Sequence, residues 1–572
     1  MSCLIPKFIV NLCEIIGVRF IISIVFTQHL LKGLVLGWVT IPTLYLYGAL
    51  GIDAGAMQRH LTVVSIPFSM KPIIGLISDR IPIFGYHKIP YMLIALISGS
   101  IASFGIALFW RYSVFLLTTL LFIIFIQVAT VDILMEAKCA EKQNFYPESA
   151  VDLMTFVSRG IILFSLFSLI SVYIFIMFFE AQWIYLICIP VMIATSFPII
   201  FNYIDDIKTP IITTNISSDS SSSDLETFTI IPSRVLDFSL STDEEEIFNA
   251  MDRITNGDGK DDGIGKKVNN SKRITKSEEE EEQQSEFYIP KNYQNISLIV
   301  MVFIIILLAI VIILITVLQI SSSYVMIILF ICSIVLLISF SLTTSPITFK
   351  VISFLFINGI TSIPLSSAIF YFFTDNEYIY PEGPNFSPFF YILTIGICET
   401  LFSFIGITIY DKFLTSITYR NIFIISTIGV ALLNVIETLV FLRWNIILGI
   451  PDYIFIIVIE SLTHTINSFT SIPSIVLLSK LCPENTEATM FSLLVGAWNM
   501  SRAIGSYEGV FLMDITGLNP NGQKGDHFKF DILWILHLFV TILPLISLFL
   551  IHRLIPEGSP SIENKQHYDE HT

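Results

Sequence analysis

Residues 71–91 read KPIIGLISDRIPIFGYHKIPY, and this polar segment decides the fold. It lies between two long apolar runs and is punctuated by glycine and proline, so it predicts a turn that joins two helices. Gly75 and Asp79 are four residues apart and therefore share one helical face. Arg80 and Lys88 add positive charge to the same turn. We call residues 71–91 the hinge.

The composition of the chain is that of a polytopic membrane protein. Hydrophobic residues make up 54% of the chain and charged residues 14%, and the mean hydropathy is +0.77. Apolar runs of about 20 residues recur, which is the length that crosses the ~30 Å hydrocarbon core of a bilayer. Seven cysteines without a CxxC pair indicate neither a disulfide framework nor a zinc site. We expect no cofactor.

The net charge of −16 does not indicate a nucleic-acid partner. Of the 47 acidic and 31 basic residues, 20 and 10 lie in residues 203–294, which leaves 27 and 21 in the rest of the chain. The numbers of acidic and basic residues in the membrane-spanning part are therefore nearly equal. The segment 203–294 is rich in serine and glutamate and poor in aromatic residues, so we predict a disordered acidic linker.

We predict an all-α protein with fourteen spans in the order six, two and six. The spans are placed at 20–48, 60–78, 90–110, 113–136, 155–178, 182–202, 296–318, 324–342, 351–373, 388–410, 421–442, 452–478, 489–513 and 530–552. The resulting organisation is a first six-helix bundle (1–202), the linker (203–294), a transmembrane hairpin (295–345), a second six-helix bundle (346–555) and a tail (556–572).

The hairpin differs from the other spans because no charged residue occurs between Lys291 and Lys350. We therefore expect it to face lipid at the periphery and to bind no polar substrate. Lysine and arginine near the span ends favour one side of the membrane, which predicts that both termini and the linker are cytosolic. Whether that membrane is the plasma membrane or an internal one is left open.

Three motifs carry a resemblance to a known family. The hinge core, Gly75-x-x-x-Asp79-Arg80, resembles the signature of the major facilitator superfamily, and the whole hinge resembles its folate-biopterin transporter family. TVDILMEAKCAE at 130–141 and LCPENTEATMF at 481–491 are similar to two further motifs of that family. The resemblance covers about residues 28–202 and 346–552. It implies two six-helix bundles and transport of folate, pterin or a related charged conjugate.

The hinge has a weaker counterpart in the second bundle, which suggests an internal repeat. Asp411 follows a glycine at 406. Arg420 lies nine residues after Asp411, as Lys88 lies nine residues after Asp79. We assign a gating role to one set of residues in both turns: Gly75, Asp79, Arg80, Lys88, Asp411 and Arg420.

Asp132 and Glu136 lie four residues apart near one end of the fourth span. A charge at mid-bilayer costs ~2.5–3.5 kcal/mol on insertion scales, so such residues are functional candidates. Two close carboxylates repel each other, which favours proton uptake by one of them. We predict proton coupling here. The alternative is a gate in which they pair with Arg159 or Lys138.

Glu460, His464 and Asn467 form a polar stripe on one face of the span at 452–478. It faces either a central cavity or another helix in a structural network. Asn499 and Arg502 form a similar face on the next span. With the cations of the other spans, these residues form the predicted substrate site: Lys32, Lys71, Arg159, Glu460, His464, Asn467, Asn499 and Arg502. The aromatic run at 370–373 is a candidate for stacking.

The prediction is a secondary active transporter that works by alternating access and is coupled to protons. The sequence contains neither HExxH nor GxGD and no P-loop, so we expect neither an enzyme nor an ATP-driven pump. The alternatives are transport of another charged metabolite, such as an amino acid or a nucleoside-like cofactor, and a membrane receptor or scaffold.

Overall fold

The computed structural model describes residues 7–146, 149–208, 291–482 and 487–558. In these ranges the chain is helical apart from its turns and an isolated bridge in the hinge. Most of the predicted linker, the tail beyond residue 558 and the centre of the 481–491 motif lie outside the described residues.

The first bundle contains six spans. The helices are α1 (Lys7–Ile16), α2 (Val18–Ile24), α3 (Leu36–Ala49), α4 (Ala54–Ser65), α5 (Lys71–Arg80), α6 (Ile89–Phe109), α7 (Val114–Phe145), α8 (Ala150–Phe178) and α9 (Ile184–Ile200). A π-helical segment, Val25–Val35, joins α2 to α3 within the first span. A short 3-10 turn, Ile66–Phe68, joins α4 to α5 within the second.

The hairpin and the second bundle follow. The hairpin consists of α10 (Lys291–Val317) and α11 (Ser322–Thr343). The second bundle consists of α12 (Pro346–Thr361), α13 (Ser366–Thr374), α14 (Pro388–Ile409), α15 (Tyr419–Phe441), α16 (Trp444–Ile447), α17 (Asp452–Lys480), α18 (Glu487–Thr516), α19 (Leu533–Ile542) and α20 (Leu545–Leu554).

Among the described residues, twelve helical segments are long and apolar enough to cross a membrane. Six belong to the first bundle, two to the hairpin and four to the second bundle. The other two predicted spans correspond to α17 and α18, which have 29 and 30 residues but carry more polar side chains. At 1.5 Å per residue both are long enough to span, so the total of fourteen stays a prediction.

Local sequence signals explain where several helices begin. Asp53, Ser113, Ser345 and Ser387 each accept a hydrogen bond from a backbone N–H in the first turn of α4, α7, α12 and α14, respectively. These N-caps satisfy amide groups that would otherwise lack a partner at a helix start. Proline follows the cap in α12 and α14, where its missing N–H is not needed.

In each bundle, the first residues of the third span form hydrogen bonds with residues that follow the sixth span. In the first bundle, the N–H groups of Lys88 and Ile89 donate to Asp206 Oδ2 at 2.9 and 3.1 Å. In the second, the N–H of Tyr419 donates to the carbonyl of Gly558 at 2.9 Å. These two contacts, which we call the clasps, occupy equivalent positions and fit the suggested internal repeat.

The hairpin packs on the second bundle through one face of α10. Ile305 and Ile312 are buried in an apolar cluster with Tyr507 of α18. Phe303 and Leu307 project from another face and are exposed. The predicted lipid contact therefore applies to one face of this helix, while the other face forms part of the core.

Small residues let α12 and α18 approach closely. A Cβ atom at Gly505 would lie 2.9 Å from the carbonyl oxygens of both Gly359 and Ile360. These are backbone atoms of α12, which cannot move aside as a flexible side chain could. Gly75 in the hinge differs, because a Cβ there would meet nothing within 4 Å.

We predict that Gly505→Ala destabilises the folded protein by about 1–3 kcal/mol, the usual cost of overpacking. Gly75→Ala is the matched control and should fold normally. The measurement is the unfolding midpoint of the purified full-length protein. Equal midpoints for the two variants would contradict the close approach of α12 and α18.

Candidate functional site

Four charged side chains meet inside the first bundle. Lys32 Nζ lies 2.8 Å from Asp132 Oδ1 and 3.2 Å from Glu136 Oε1. Lys71 Nζ lies 2.6 Å from Asp132 Oδ2 and 3.3 Å from Glu136 Oε2. We call Lys32, Lys71, Asp132 and Glu136 the charge cluster. Its two positive and two negative charges balance, which lowers the cost of burying them.

Three separate elements supply the charge cluster. Lys32 comes from the π-helical segment of the first span, Lys71 opens α5, and both carboxylates lie on α7. A π-helix widens the helical turn and is frequent at functional sites. The Asp132 side chain is 1% exposed and that of Glu136 is 35% exposed. Glu136 is therefore the carboxylate that solvent reaches.

The pairing differs from the gate in which Asp132 and Glu136 pair with Arg159 or Lys138, and proton coupling stays a prediction. The two lysines lie between the carboxylates and offset their repulsion, which was the reason for expecting proton uptake. The basic residues considered for a gate lie elsewhere: Lys138 Nζ bonds Glu141 at 2.6 Å, and Arg159 is exposed on α8. Lys32 and Lys71, which we predicted to bind substrate, are committed to the charge cluster in this structure.

The polar stripe of α17 forms as predicted on one helical face. Glu460 Oε2 lies 3.4 Å from His464 Nε2, and both side chains are about one-fifth exposed. Asn467, one turn further on, is exposed. Glu399 of α14 is also exposed and lies within electrostatic range of Glu460 and His464. α14 and α17 are packed together, with Thr465 Oγ1 donating to the carbonyl of Phe402 at 3.3 Å.

Arg502 occupies the middle of α18 and is exposed, although most of that helix is buried. Asn499 and Ser506 lie on the same face and are partly exposed. Among the described residues Arg502 forms no ion pair. An unpaired guanidinium at this depth would be too costly against lipid, so this face must meet water.

These exposed charges indicate a water-filled central cavity. The polar side chains of α17 and α18, together with Glu399 and Glu136, would line it. Arg159 is less well placed, because it shares an exposed face of α8 with Leu163 and Ile170. A long arginine side chain can reach the interface from such a position.

The gate residues of the first bundle lie where the hinge was expected. Gly75 and Asp79 are in α5, and Asp79 and Arg80 at its end are exposed. Lys88 is buried and bonds Glu141 Oε1 at 2.7 Å, a contact within the same bundle. In the second bundle, Arg420 donates to the carbonyl of Ile555 at 2.7 Å and pairs with Glu557. The side chain of Asp411 lies outside the described residues.

The two bundles are joined by polar contacts at the end of the molecule opposite the hinge. Gln58 Nε2 of α4 donates to the carbonyls of Pro364 and Ser506 at 2.9 and 2.8 Å. Arg59 Nη1 lies 3.3 Å from Asp514 Oδ2. We call this end the closed end. Pro364 sits in the break between α12 and α13, where a free carbonyl becomes available.

The aromatic run at 370–373 belongs to the closed end and does not line the cavity. Phe370, Tyr371 and Phe372 are almost fully buried among other rings. The hydroxyl of Tyr371 donates to the carbonyl of Ile52 in the first bundle at 2.6 Å. Packing between the bundles therefore accounts for these rings in this structure, and the predicted stacking on substrate does not.

The sequence does not identify the partners in two buried polar pairs. His537 Nε2 of α19 lies 3.4 Å from Glu437 Oε2. At the closed end Asp375 is buried near Asp526, which accepts from three backbone N–H groups and from Lys529. Both pairs join residues far apart in sequence, so spacing along the chain gives no signal for them. Glu437 and His537 at least lie within predicted spans, whereas Asp375 and Asp526 lie just outside theirs.

A sequence model of the BT1 family matches residues 32–572. The chain belongs to the BT1 family. Curated relatives include "Probable folate-biopterin transporter 6" of Arabidopsis thaliana, 29% identical over 37% of this chain and 40% of the relative. "Folate transporter 1" of Plasmodium falciparum is 28% identical over 38% of this chain and 40% of the relative. The matches thus span about two-fifths of the length of these relatives.

Solved structures place this BT1 family member in the major-facilitator fold class, as predicted. The POT family transporter PepTSo superposes with a TM-score of 0.55 and 12% identity, covering 94% of this chain and 98% of that one. A mutant of the nucleoside transporter NupG superposes with a TM-score of 0.50 and 11% identity, covering 95% and 100%. At such identities the likeness concerns the fold alone. The chain is a multi-pass integral membrane protein.

We predict that neutralising one member of the charge cluster destabilises the protein more than neutralising a matched pair. Asp132→Asn leaves two lysines on one glutamate, and breaking a buried pair typically costs about 3–5 kcal/mol. Adding Lys71→Met restores the balance and should recover most of the stability. The readout is the unfolding midpoint of the purified protein.

Lys142→Gln is the control for this experiment, because its partner Asp205 is 60% exposed and surface pairs contribute little. If the double variant were as unstable as the sum of both single variants, Lys71 and Asp132 would not be coupled.

The buried carboxyl group of Asp375 should make the stability of the folded protein depend on pH. Burial and the neighbouring Asp526 carboxylate raise the pKa of Asp375 to about 7, which Lys529 partly opposes. The folded state therefore holds this proton more tightly than the unfolded chain does. The associated stability is present below about pH 4 and is lost as the pH rises through about 7.

We therefore expect Asp375→Asn to be as stable as the parent at acidic pH and more stable above pH 7. Unfolding midpoints from pH 4.5 to 8.5 measure this. Glu377→Gln, at an exposed neighbouring carboxylate, should keep the parent profile. Identical profiles for the parent and Asp375→Asn would show that Asp375 is not the titrating group.

Proposed function

We propose that this protein is a secondary active transporter that moves folate, pterin or a related charged conjugate by alternating access. The observation that carries the proposal is the exposed Arg502 at the middle of a long, mostly buried helix, because a guanidinium in that position requires water rather than lipid around it. The names of the relatives support the substrate class. They also favour a transporter over an enzyme.

The cavity offers complementary groups to both ends of a folate. Arg502 and Asn499 present donors suited to the carboxylates of a glutamate tail, since arginine binds carboxylates in a bidentate manner. Glu460 and Asn467 present acceptors suited to the amino and ring N–H groups of a pterin. His464 stands beside Glu460 and orients it through the contact between their side chains. The arginine lies on α18 and the acceptors on α17.

Proton coupling is assigned to the charge cluster. A proton arriving from the cavity meets Glu136 first, because Asp132 is almost fully buried. Protonated Glu136 would release its hold on Lys32 and Lys71, which would then share Asp132. Lys32, one-quarter exposed, would keep its pair with Asp132 and could offer the N–H donor released by Glu136 to a substrate carboxylate. Proton entry would thus change the positive charge presented to the cavity.

We assign the hinge end to the cytosol, with both termini and residues 203–294 on that side. The distribution of lysine and arginine supports this orientation. With the opposite end closed, this orientation would correspond to an inward-facing state. The hinge residues Gly75, Asp79 and Arg80, with Asp411 in the second bundle, would then act when the cytosolic end closes. Lys88 and Arg420 would brace their own bundles through the pairs described above.

The second candidate is transport of another charged metabolite, such as an amino acid or a nucleoside-like cofactor. The mixture of acidic and basic groups in the cavity, which suits a zwitterion as well as a dianion, favours this alternative over a receptor or scaffold.

The deciding experiment is uptake of labelled folate, biopterin, an amino acid and a nucleoside into proteoliposomes across an imposed pH step. We expect saturable uptake of folate or biopterin that increases with an inward proton gradient. Arg502→Gln should reduce folate uptake about 10- to 100-fold, the range expected for one charged hydrogen bond. Biopterin, which has no glutamate tail, should be affected much less.

Arg553→Gln is the matched control, since this exposed arginine lies at the end of α20 outside the cavity. Glu136→Gln should flatten the pH dependence without abolishing counterflow. Uptake of the amino acid or the nucleoside, with none of folate or biopterin, would select the alternative.

A further inference from the structure

Two adjoining cavities lie beside the hairpin, and neither is lined by a residue of the charge cluster or of the polar stripe of α17. The first has a volume of about 550 Å³ and lies at the closed end, between the start of α4, the turn of the hairpin and the end of α18. The second has a volume of about 510 Å³ and continues along α4, α7 and α10. Both are lined by His60, Thr316 and Gln319, so together they form one elongated site.

One cavity is polar and the other mostly apolar, as the headgroup and the acyl chains of a lipid are. The first is polar and carries Asp53, Arg59 and Asp514. The second is mostly apolar, with walls that include Phe115 and Phe122. Phe115 is exposed on the membrane face of the protein, so the apolar cavity is open to the bilayer. The polar cavity lies at the level of the helix ends, where headgroups are found.

We propose that these cavities form a binding site for a zwitterionic phospholipid with a primary ammonium, of the phosphatidylethanolamine type. The headgroup occupies the polar cavity and an acyl chain follows the apolar one.

The charges of the polar cavity favour a headgroup that carries both signs. Arg59 uses one guanidinium nitrogen on Asp514 and keeps other donors for a phosphate. Asp53 caps α4 through Oδ1, and among the described residues its Oδ2 has no partner, so it can accept from an ammonium. With two carboxylates against one guanidinium, the cavity would disfavour a headgroup of net negative charge.

The backbone at Gln319 provides an independent indication. This residue ends α10 with φ of 50°, in the left-handed region where helices usually end in glycine or asparagine. A side chain with a Cβ atom is strained in this backbone conformation. Its side chain lines both cavities and is exposed. An amide that contacts a glycerophosphate group would account for a residue that the turn itself does not favour.

His60, which lines both cavities, uses one of its two ring nitrogens within the protein. His60 Nδ1 lies 3.0 Å from Thr118 Oγ1, and its ring stacks on Tyr47 at 6.0 Å. Among the described residues Nε2 has no partner. In the tautomer in which Nδ1 accepts from the Thr118 hydroxyl, Nε2 donates to an ester or phosphate oxygen where the two cavities meet. Arg59 and His60 thus bracket the position of the phosphate.

Two variants test the site without removing the Arg59 to Asp514 contact between the bundles. Thr119→Trp places a large ring in the apolar cavity from an exposed position on α7. Gln319→Gly removes the amide and relieves the left-handed backbone, so it should not harm folding. The matched controls are Thr408→Trp, at an exposed threonine of α14, and Asn385→Gly, at another residue with positive φ.

The measurement is native mass spectrometry of the full-length protein released from nanodiscs that contain phosphatidylcholine and either phosphatidylethanolamine or phosphatidylglycerol. We expect one retained phosphatidylethanolamine per chain, at least a fivefold loss in Thr119→Trp, and a smaller loss in Gln319→Gly with unchanged unfolding midpoint. Both controls should match the parent.

Equal retention in the parent and both site variants would overturn the proposal, and so would losses of the same size in the controls. Preference for phosphatidylglycerol would overturn the assigned headgroup. Because retention is measured without transport, failure here is distinguishable from failure of the proposed function.

Discussion

Charges inside a hydrocarbon layer must be neutralised by a partner or kept in water, and both solutions occur in this protein. In the first bundle, Lys32 and Lys71 neutralise the buried Asp132 and the partly exposed Glu136. In the second, Arg502 is exposed at the middle of a helix that is mostly buried. Since unpaired charges cannot face lipid, their placement determines where the cavity lies and which faces of the helices surround it.

The two halves therefore contribute differently to the site. The first bundle holds a balanced cluster whose only well-exposed carboxylate is Glu136. The second bundle holds the exposed polar groups of α17 and α18. If the cluster takes up one proton, as proposed, its net charge changes by one unit, and that change acts on the charged groups of the other bundle. This division suits a protein in which one bundle senses the coupling ion and the other recognises the substrate.

Much of the fold could be predicted from the sequence, because membrane spans depend on local hydropathy. The span predicted at 324–342 corresponds to Ser322–Thr343, and that at 90–110 to Ile89–Phe109. The π-helical segment around Lys32 could not be predicted, since it depends on tertiary packing. The partners of Asp132 also escaped prediction, because Lys32 and Lys71 are 100 and 61 residues away along the chain. Sequence spacing on one helix indicated repulsion between carboxylates, whereas the folded chain places cations between them.

The clasps have a consequence for how the chain is made. Asp206, which holds the start of the third span, is followed by the segment that separates the two bundles. Once Asp206 has been synthesised, the first bundle can form its clasp. This contact does not require the second bundle. Gly558 occupies the same position for the second bundle. Each half can thus mature in the bilayer as a unit, in the order of synthesis, before the two halves meet to form the cavity between them.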